Sequence, residues 1–164
     1  MAKTLTPPTV ADLMNRDVYT VTPDISLDEA ISFLVKMNIP CAPVVQRSDH
    51  GNELIGLITE KDCLEYLSNE IFYGNPAINV GSMMYKFPLC ASPESDLFVI
   101  AAVFTQHDYR DLPVVKDKLL LGVIRRHDVL KAMREFSLEV CEDKSKRKKH
   151  LDFHELVNHR FIIK

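Results

Sequence analysis

The sequence predicts an α/β (α+β) fold in which two similar β-α-β-β-α units pack sheet to sheet with pseudo-twofold symmetry. Three observations lead to this prediction. A chain of 164 residues suits one domain or two small repeated units. Short motifs recur along it in the same order, and each copy alternates between helical and strand patterns. One unit of about 60 residues would leave a sheet face bare, whereas two stacked units cover both faces.

The internal repeat rests on five matched motifs. Three of them lie 70 residues apart, namely Val10–Met14 with Val80–Met84, Thr22-Pro23 with Ser92-Pro93, and Pro43–Val45 with Pro113–Val115. Two more lie 66 residues apart, namely Gly56 with Gly122 and Asp62 with Asp128. The offset falls by four because the loop between the matched motifs is long and polar in the first copy (46–53) and short in the second (116–118). Loops absorb such changes of length at little cost in free energy.

Four helices are predicted from capping residues and from apolar side chains at helical spacing. Ser26 and Glu29 form a capping box at the start of the first helix, and Thr59 with Asp62 forms another. In the second copy, Asp96 is the expected N-cap. The helix behind Ser26 has apolar residues at a period typical of a helix packed on a core. The other three are expected over 60–68, 97–104 and 126–136.

Strands are predicted on both sides of the first helix of each copy. The first copy opens with a short β-rich segment, Val18–Thr22, which stops at Pro23. Each copy then has a hairpin, and that of the first copy turns around Asp49–Asn52. The four hairpin strands are Cys41–Val45 and Leu54–Thr59 in the first copy, and Asp111–Lys116 and Leu119–Arg125 in the second.

Composition excludes several classes of protein. Twenty Lys and Arg against 23 Asp and Glu give a net charge of −3. This balance argues against a protein whose whole surface binds nucleic acid or an anionic membrane. The five glycines do not form a G-x-G-x-x-G or a P-loop. The first residues lack the apolar core of a signal peptide. The longest apolar run, Phe98–Phe104, falls far short of the roughly 20 residues of a membrane helix.

The four cysteines favour a reducing compartment, and we expect a cytoplasmic location. They are widely scattered, and the absence of C-x-x-C disfavours a zinc knuckle. Cys41, Cys63 and Cys90 lie in apolar runs and are predicted to be buried thiols. A thiol nucleophile has little support because Cys63 and Cys90 lack an evident histidine partner.

The repeated motifs resemble cystathionine-β-synthase (CBS) domains. The first set is Val10–Met14, Thr20–Pro23, Ala42–Val45 and Gly56–Asp62, and the second is Ser92-Pro93, Arg110–Val115 and Gly122–Asp128. A tandem pair is similar to the arrangement called a Bateman module. The resemblance implies an N-terminal lead-in (1–9), CBS domain 1 (10–70), a linker (71–79), CBS domain 2 (80–137) and a basic C-terminal tail (138–164).

The resemblance also implies a function. It indicates a non-catalytic regulatory module, concerned with energy sensing, that binds AMP, ADP, ATP or S-adenosylmethionine in the cleft between its repeats and signals to a partner protein. Magnesium is a candidate companion ion. The family further implies a disc-shaped homodimer, parallel or antiparallel. No catalytic residue and no metal site are expected.

Sixteen residues correspond to ligand positions of the family. They are Thr20, Val21, Thr22, Ala42, Pro43, Thr59, Asp62, Cys90, Ala91, Ser92, Arg110, Leu112, Pro113, Arg125, Arg126 and Asp128. The motif of Gly56, Thr59 and Asp62 has a direct chemical interpretation as a nucleotide site. A helix N-terminus suits phosphate, and a carboxylate one turn on accepts hydrogen bonds from a ribose diol. The plainer alternatives are a simple helix cap for this motif, core packing for the strand residues and a solvated surface for the arginines.

The second copy departs from the family pattern. Arg125 replaces the Ser or Thr and has no acceptor with which to cap a helix. Arg126 and His127 follow, and Arg110 precedes the Pro113 motif, where the resemblance implies contact with phosphates. Because Arg binds phosphate with two hydrogen bonds, we expect the cleft that holds Asp128 to prefer ATP or ADP over AMP. The cleft that holds Asp62 should be less charge-selective.

The tail leaves a second function open. Five of the six residues in Lys144–Lys149 are basic, and apolar residues follow. This run is either a solvated linker before a docking segment or a patch for nucleic acid or an anionic membrane. The alternative function is therefore a ligand-free scaffold whose tail contacts a partner. His150 and His154 lie one helical turn apart, but two ligands are too few for a metal site.

Overall fold

The computed structural model describes residues 5–74 and 77–150. The elements in chain order are α1 (Val10–Leu13), α2 (Leu27–Met37), β1 (Cys41–Ser48), β2 (Gly51–Thr59), α3 (Glu60–Tyr73), α4 (Val80–Met83), α5 (Leu97–Gln106), β3 (Asp111–Lys116), β4 (Leu119–Arg125) and α6 (Arg126–His150). The mixed helix and strand fold and the recurrence of the same elements in two copies are as the sequence predicts, but each copy opens with a short helix, α1 or α4, that the sequence pattern does not indicate.

The two hairpins join into one four-stranded antiparallel sheet with the order β1-β2-β4-β3. Each hairpin is fully paired, and each carries a bulge at the same place, after Val44 and after Val114. In the described strand pairing the two hairpins are joined by Glu53 with Leu119, and beside this pair the N–H of Leu54 donates to the Lys118 carbonyl (2.9 Å). Away from this pair, the end of β2 and the start of β3 line a common cleft.

The helix starts are held by the predicted caps. The N–H of Glu29 donates to the Ser26 hydroxyl (3.2 Å), and the N–H of Ser26 donates to the Glu29 carboxylate (3.0 Å). Asp96 accepts from the N–H groups of Phe98 and Val99 at 2.8 and 2.9 Å. These bonds satisfy amides that have no partner inside the helix.

The expected first strand of each copy is reduced to a single bridge. Val21 bridges Val44, and Ala91 bridges Val114, both in the parallel sense. The N–H of Val21 donates to the Pro43 carbonyl, and the N–H of Val45 donates to the Val21 carbonyl. Proline lacks an N–H group, so Pro43 cannot extend the ladder. The predicted strand Val18–Thr22 is therefore too long.

Two helices run further than the sequence pattern indicates. α3 continues to Tyr73 instead of ending near Ser68, and α6 continues from Phe136 to His150. No glycine or proline interrupts residues 126–150, so nothing in that segment stops a helix once it has started. The basic run 144–149 thus lies in the last turns of α6. Among the described helices, none is both long and apolar enough to cross a membrane.

The segment that leads into each repeat packs on the other repeat. Val10 and Met14 belong to the core of the second copy, with Leu97, Ile100 and Ile124. Val80 belongs to the core of the first copy, which contains Leu27, Leu34 and Ile58. Each repeat therefore completes its core with residues that precede the other one.

Matching hydrogen bonds fix the two crossings. Asn15 and Val123 exchange two backbone bonds of 2.9 Å, and Tyr85 and Leu57 exchange bonds of 2.9 and 3.0 Å. The N–H of Leu97 donates to the Pro8 carbonyl (2.9 Å), as that of Leu27 does to the Ile78 carbonyl (3.0 Å). Each bond at one crossing has an equivalent at the other, as the predicted pseudo-twofold symmetry requires.

The glycines of the two repeated motifs leave room for the crossings. A Cβ at Gly122 would lie 2.7 Å from the Asn15 carbonyl oxygen, and one at Gly56 would lie 3.1 Å from the Tyr85 carbonyl oxygen and 2.9 Å from the Met84 Cγ. The space that Gly56 leaves free of a side chain is thus filled by the chain itself.

Gly122→Ala should destabilise the protein by about 1–3 kcal/mol, because the new methyl group meets a backbone carbonyl that cannot rotate away. Gly56→Ala is the comparison for which a smaller loss of stability is expected. The Met84 side chain nearest to Gly56 is flexible, and the backbone contact at Gly56 is longer than that at Gly122. Urea unfolding followed by circular dichroism measures both. Equal midpoints for Gly122→Ala and the wild type would contradict the role assigned to the crossing.

Candidate functional site

A cleft of about 640 Å³ opens between the two repeats. One wall is formed by the end of β2 and the first turn of α3, with Thr59 and Asp62. The other wall is the loop that enters β3, residues 108–111, from the second repeat. Tyr85, at the crossing of the second lead-in segment, also lines the cleft. The cleft thus joins residues from both repeats.

Thr59 and Asp62 form a complete capping box at the first turn of α3. The N–H and the hydroxyl of Thr59 donate to Oδ2 of Asp62 at 3.0 and 2.7 Å, and the N–H of Asp62 donates to the Thr59 hydroxyl at 3.2 Å. Oδ1 of Asp62 accepts no hydrogen bond from the described residues. The cap accounts for one carboxylate oxygen and leaves the other available to a ligand.

The first amide of α3 and the first amide of α6 each donate to a backbone carbonyl at an equivalent place in their repeats. The N–H of Glu60 donates to the Pro40 carbonyl (2.9 Å), and the N–H of Arg126 donates to the Arg110 carbonyl (2.8 Å). In each repeat, the start of the last helix is therefore fastened to the entry of the first hairpin strand. This bond sets the position of the cleft walls.

Arg110 lies in the cleft that contains Asp62. Its Nη1 is 3.9 Å from Oε2 of Glu60, so this ion pair links the two repeats. The expectation that Arg110 would add positive charge to a separate cleft around Asp128 is therefore corrected. The linear repeat assigns Arg110 to the second copy, but its side chain reaches the helix start of the first.

Carboxylates offset the positive charge of this region. Arg126 Nη1 lies 3.3 Å from Oδ1 of Asp108, and both side chains are substantially exposed. Among the described residues that line the cleft, four are acidic and two are basic, namely Glu60, Asp62, Asp108 and Asp111 against Lys61 and Arg110. A polyphosphate would have to compete with these carboxylates for the arginines, which weakens the basis for expecting ATP to be preferred.

Arg125 and Asp128 occupy the positions equivalent to Thr59 and Asp62. Arg125 pairs with Asp111 in the register of the second hairpin. Burial raises the pKa of the Asp111 carboxyl, while Arg125 lowers it and Asp128 raises it. Both helix-start residues therefore act on the same carboxyl electrostatically. The second copy has no threonine–aspartate box, as its sequence indicates.

The strand residues predicted from the family mostly lie in the core. Six of them have buried side chains, namely Val21, Ala42, Pro43, Ala91, Leu112 and Pro113. The N–H and carbonyl of Val21 are both engaged by β1. These residues shape the repeats, and their packing agrees with the plainer alternative.

The four remaining predicted positions near the strand starts lie outside the core. Thr20 and Thr22 are half-buried, and Cys90 and Ser92 are exposed. The Ser92 hydroxyl donates to Oε2 of Glu94 at 2.6 Å. Hydrogen bonds from Lys116 and Ser92 lower the pKa of Glu94 to about 2. Ser92 thus belongs to a local turn network.

The cysteines divide into different environments. Burial, reinforced by the charges of Asp111 and Glu60, raises the pKa of the Cys41 thiol to about 12. Burial likewise raises the pKa of Cys63 to about 11. Cys63 is buried and Cys41 is partly buried, whereas Cys90 is exposed, so its predicted burial is wrong. The apolar run around Cys90 lies on the surface, where Phe87 and Leu89 are exposed too.

Sequence reasoning missed several residues of the cleft. They are Pro40, Cys41, Leu57, Glu60, Lys61, Leu64, Tyr85, Asp108, Tyr109 and Asp111. The repeat alignment gives no signal for Tyr85, because the crossing that brings it to β2 is not written in the linear repeat. Within the described residues, no group of three or more His, Cys, Asp or Glu side chains is placed to hold a metal ion. His154 lies outside those residues.

Comparison with known proteins identifies the repeats. The CBS domain family model matches residues 10–69 and 80–135. MJ1225 of Methanocaldococcus jannaschii, an uncharacterised protein, is 29% identical over 124 residues, which make up 76% of this chain and 42% of MJ1225. The chain thus spans less than half the length of the first curated relatives that it matches.

Two solved structures extend this comparison. CBSX2, a CBS-pair protein of Arabidopsis thaliana crystallised with AMP, is 29% identical with a TM-score of 0.66 and covers 79% of this chain and 98% of its own. The CBS domain pair of MJ0100, crystallised with 5'-methylthioadenosine and S-adenosylmethionine, is 25% identical with a TM-score of 0.63, covering 76% and 98%. Together with the two family matches, the fold shows that this chain belongs to the CBS domain family, as a tandem CBS pair.

Proposed function

We propose that this chain is a non-catalytic regulatory module that binds an adenosyl ligand, such as AMP, ADP, ATP or S-adenosylmethionine, in the cleft between its repeats. The observation that carries the proposal is a cleft lined both by Asp62, at the start of α3, and by Arg110 from the other repeat. The ligands in the structures of CBSX2 and MJ0100, which are AMP, methylthioadenosine and S-adenosylmethionine, support the choice of an adenosyl compound.

The residues of the cleft supply a distinct group for each part of such a ligand. Oδ1 of Asp62 accepts a hydrogen bond from the ribose diol. The first turn of α3 and the guanidinium of Arg110 attract the first phosphate. Tyr85 and Tyr109 offer aromatic surface beside the cleft. A ligand phosphate competes with Glu60 for Arg110, so its binding exchanges one ion pair between the repeats for another.

Regulation follows from the way in which the ligand spans both repeats. The two hairpins are joined near Glu53 and Leu119, and the end of β2 and the start of β3 line the cleft from different repeats. A ligand held by both walls favours the arrangement of repeats in which both contacts form. A partner protein that recognises this arrangement responds to the ligand through that difference in affinity. Asp128 and Arg125 form the equivalent half of a second, weaker position.

Asp62→Ala should weaken AMP binding by about 1.5–3 kcal/mol, the contribution of hydrogen bonds to a charged group. Asp12→Ala is the matched control, because Asp12 forms the same box with Thr9 and neither residue lines the cleft; Asp12 accepts from the N–H and hydroxyl of Thr9 at 2.9 and 2.7 Å. Calorimetric titration with AMP compares both variants with Asp128→Ala, for which a smaller loss is expected. Equal affinity in Asp62→Ala and Asp12→Ala would place the ligand elsewhere.

Glu60→Gln should strengthen ATP binding more than AMP binding, because it removes the carboxylate that competes for Arg110. Arg110→Ala should do the reverse and lower the ATP-to-AMP affinity ratio, with both effects smaller at high salt. Lys118→Ala, which removes an exposed ion pair with Glu53 outside the cleft, is the control. An affinity ratio that is the same in all four proteins would show that Arg110 does not face the ligand.

The module is also proposed to form a homodimer through the outer faces of its helices. Val35 on α2 and Leu64 on α3 are 76% and 65% exposed, and Leu130 on α6 is 68% exposed. Exposed apolar side chains at matching places on both repeats are typical of an interface. Ultracentrifugation at micromolar concentration should give a dimer, and Leu64→Lys should shift it toward monomer. A monomeric wild type would refute this part of the proposal.

A further inference from the structure

One wall of the cleft carries an acidic side chain at the very start of a strand. Asp111 begins β3, lines the cleft from the second repeat and is half-buried. Cys41 begins β1 at the equivalent place, 70 residues earlier, and lines the same cleft. The charge of Asp111 helps to raise the pKa of the Cys41 thiol, so the two side chains act on each other across the cleft. Of these two equivalent positions, only that of the second repeat carries a carboxylate.

Two arginines of this region are engaged with other carboxylates. The Arg110 guanidinium lies 3.9 Å from the carboxylate of Glu60, and the Arg126 guanidinium lies 3.3 Å from that of Asp108. A cation that is shared with one carboxylate compensates a second one less well, because its charge is already partly offset. The two arginines therefore leave the charge of the strand start incompletely balanced.

The groups around Asp111 act on its carboxyl in both directions. Arg125, opposite to it in the hairpin register, lowers its pKa, as Arg110 does, whereas burial and the charge of Asp128 raise it. Burial is the largest of these influences, and the pKa lies above its ordinary value. The other titratable groups that line this space are Cys41, Glu60, Lys61, Asp62, Tyr85, Asp108 and Tyr109.

The position of this carboxyl matters for the part of a ligand that lies beyond its ribose. Arg110 precedes Asp111 in the chain, so a 5′ group that approaches the arginine also approaches the carboxyl. A phosphate there meets a like charge in a half-buried site, where charges are screened less than at the surface. A neutral group meets no such repulsion, and a cation gains an attraction.

We infer that Asp111 determines the ligand specificity of the cleft, which takes adenosyl compounds whose 5′ group is neutral or positively charged and disfavours those that carry phosphate there. This inference rests on the proposed adenosyl site and names the class of ligand that the site takes. The adenosine part is common to all of these ligands, so the discrimination arises at the 5′ group alone.

Asp111→Asn tests this role with three probes. Adenosine, AMP and S-adenosylmethionine carry a neutral, a negative and a net positive 5′ group. In calorimetric titrations the variant should bind AMP about tenfold more tightly and S-adenosylmethionine about fivefold more weakly, with adenosine unchanged within about twofold. A damaged cleft would bind all three more weakly. Shifts of the same sign for AMP and S-adenosylmethionine, or no shift in either, would overturn the inference.

Two control variants separate this carboxyl from the rest of the cleft. Asp108 lies three residues earlier and lines the same cleft, but its side chain is fully exposed, so Asp108→Asn should change the ratio of AMP to S-adenosylmethionine affinity much less. Asp111→Glu keeps the charge and should keep the wild-type order of affinities. Equal effects of Asp108→Asn and Asp111→Asn would refute the assignment to Asp111.

Adenosine keeps this inference distinct from the proposed function. A wild type that binds none of the three probes refutes the adenosyl site itself, and the specificity inference with it. Adenosine binding in the wild type, together with an affinity ratio that Asp111→Asn does not change, refutes the role of Asp111 alone.

The pH dependence supplies a second readout. Because its pKa is raised, the Asp111 carboxyl gains a proton at higher pH than an ordinary aspartate, and the protonated form does not repel phosphate. As the pH falls from neutral to about 5, the AMP affinity of the wild type should approach that of Asp111→Asn. The AMP phosphate itself titrates near pH ~6, but this effect is common to both proteins. An affinity ratio between the two proteins that does not change with pH would contradict the inference.

Discussion

The reciprocal crossing of the two lead-in segments is the constraint on which the rest of the structure depends. Each segment completes the core of the other repeat, and each is fastened by paired backbone bonds to the strand that carries the glycine of the motif. Gly56 and Gly122 are required there because a side chain would occupy the space of the crossing backbone. Neither repeat has a complete core without the other, so the pair is the folding unit.

The cleft is a consequence of that constraint. The crossings fasten the two hairpins to the lead-in segments, and the hairpins join each other near Glu53 and Leu119. The start of α3 then faces the loop before β3, and Tyr85 arrives from the crossing itself. Glu60, Arg110 and Asp108 already form ion pairs in this space. A ligand therefore enters a site with more acidic than basic side chains, in which it replaces contacts between the repeats instead of neutralising a bare positive patch.

The sequence predicted the features that depend on local interactions. The box of Ser26 and Glu29, the cap at Asp96 and the second hairpin form from residues that are close in the chain, so their signals survive in any tertiary context. Features that depend on distant residues were not predictable. Arg110 lies at the cleft of the first repeat, and Cys90 is exposed, because the crossings decide which surfaces meet. The end of α6 was missed because capping and apolar period indicate where a helix packs, not how far it continues.

Hydrogen exchange of the full chain, with and without AMP, tests the central claim most directly, because the claim is that one ligand is held by both repeats. The account predicts slower exchange at the first turn of α3 and, at the same AMP concentration, in residues 108–111. Amides of α2, which lies outside the cleft, should be far less affected. Protection confined to one of the two walls, or protection in neither, would contradict it.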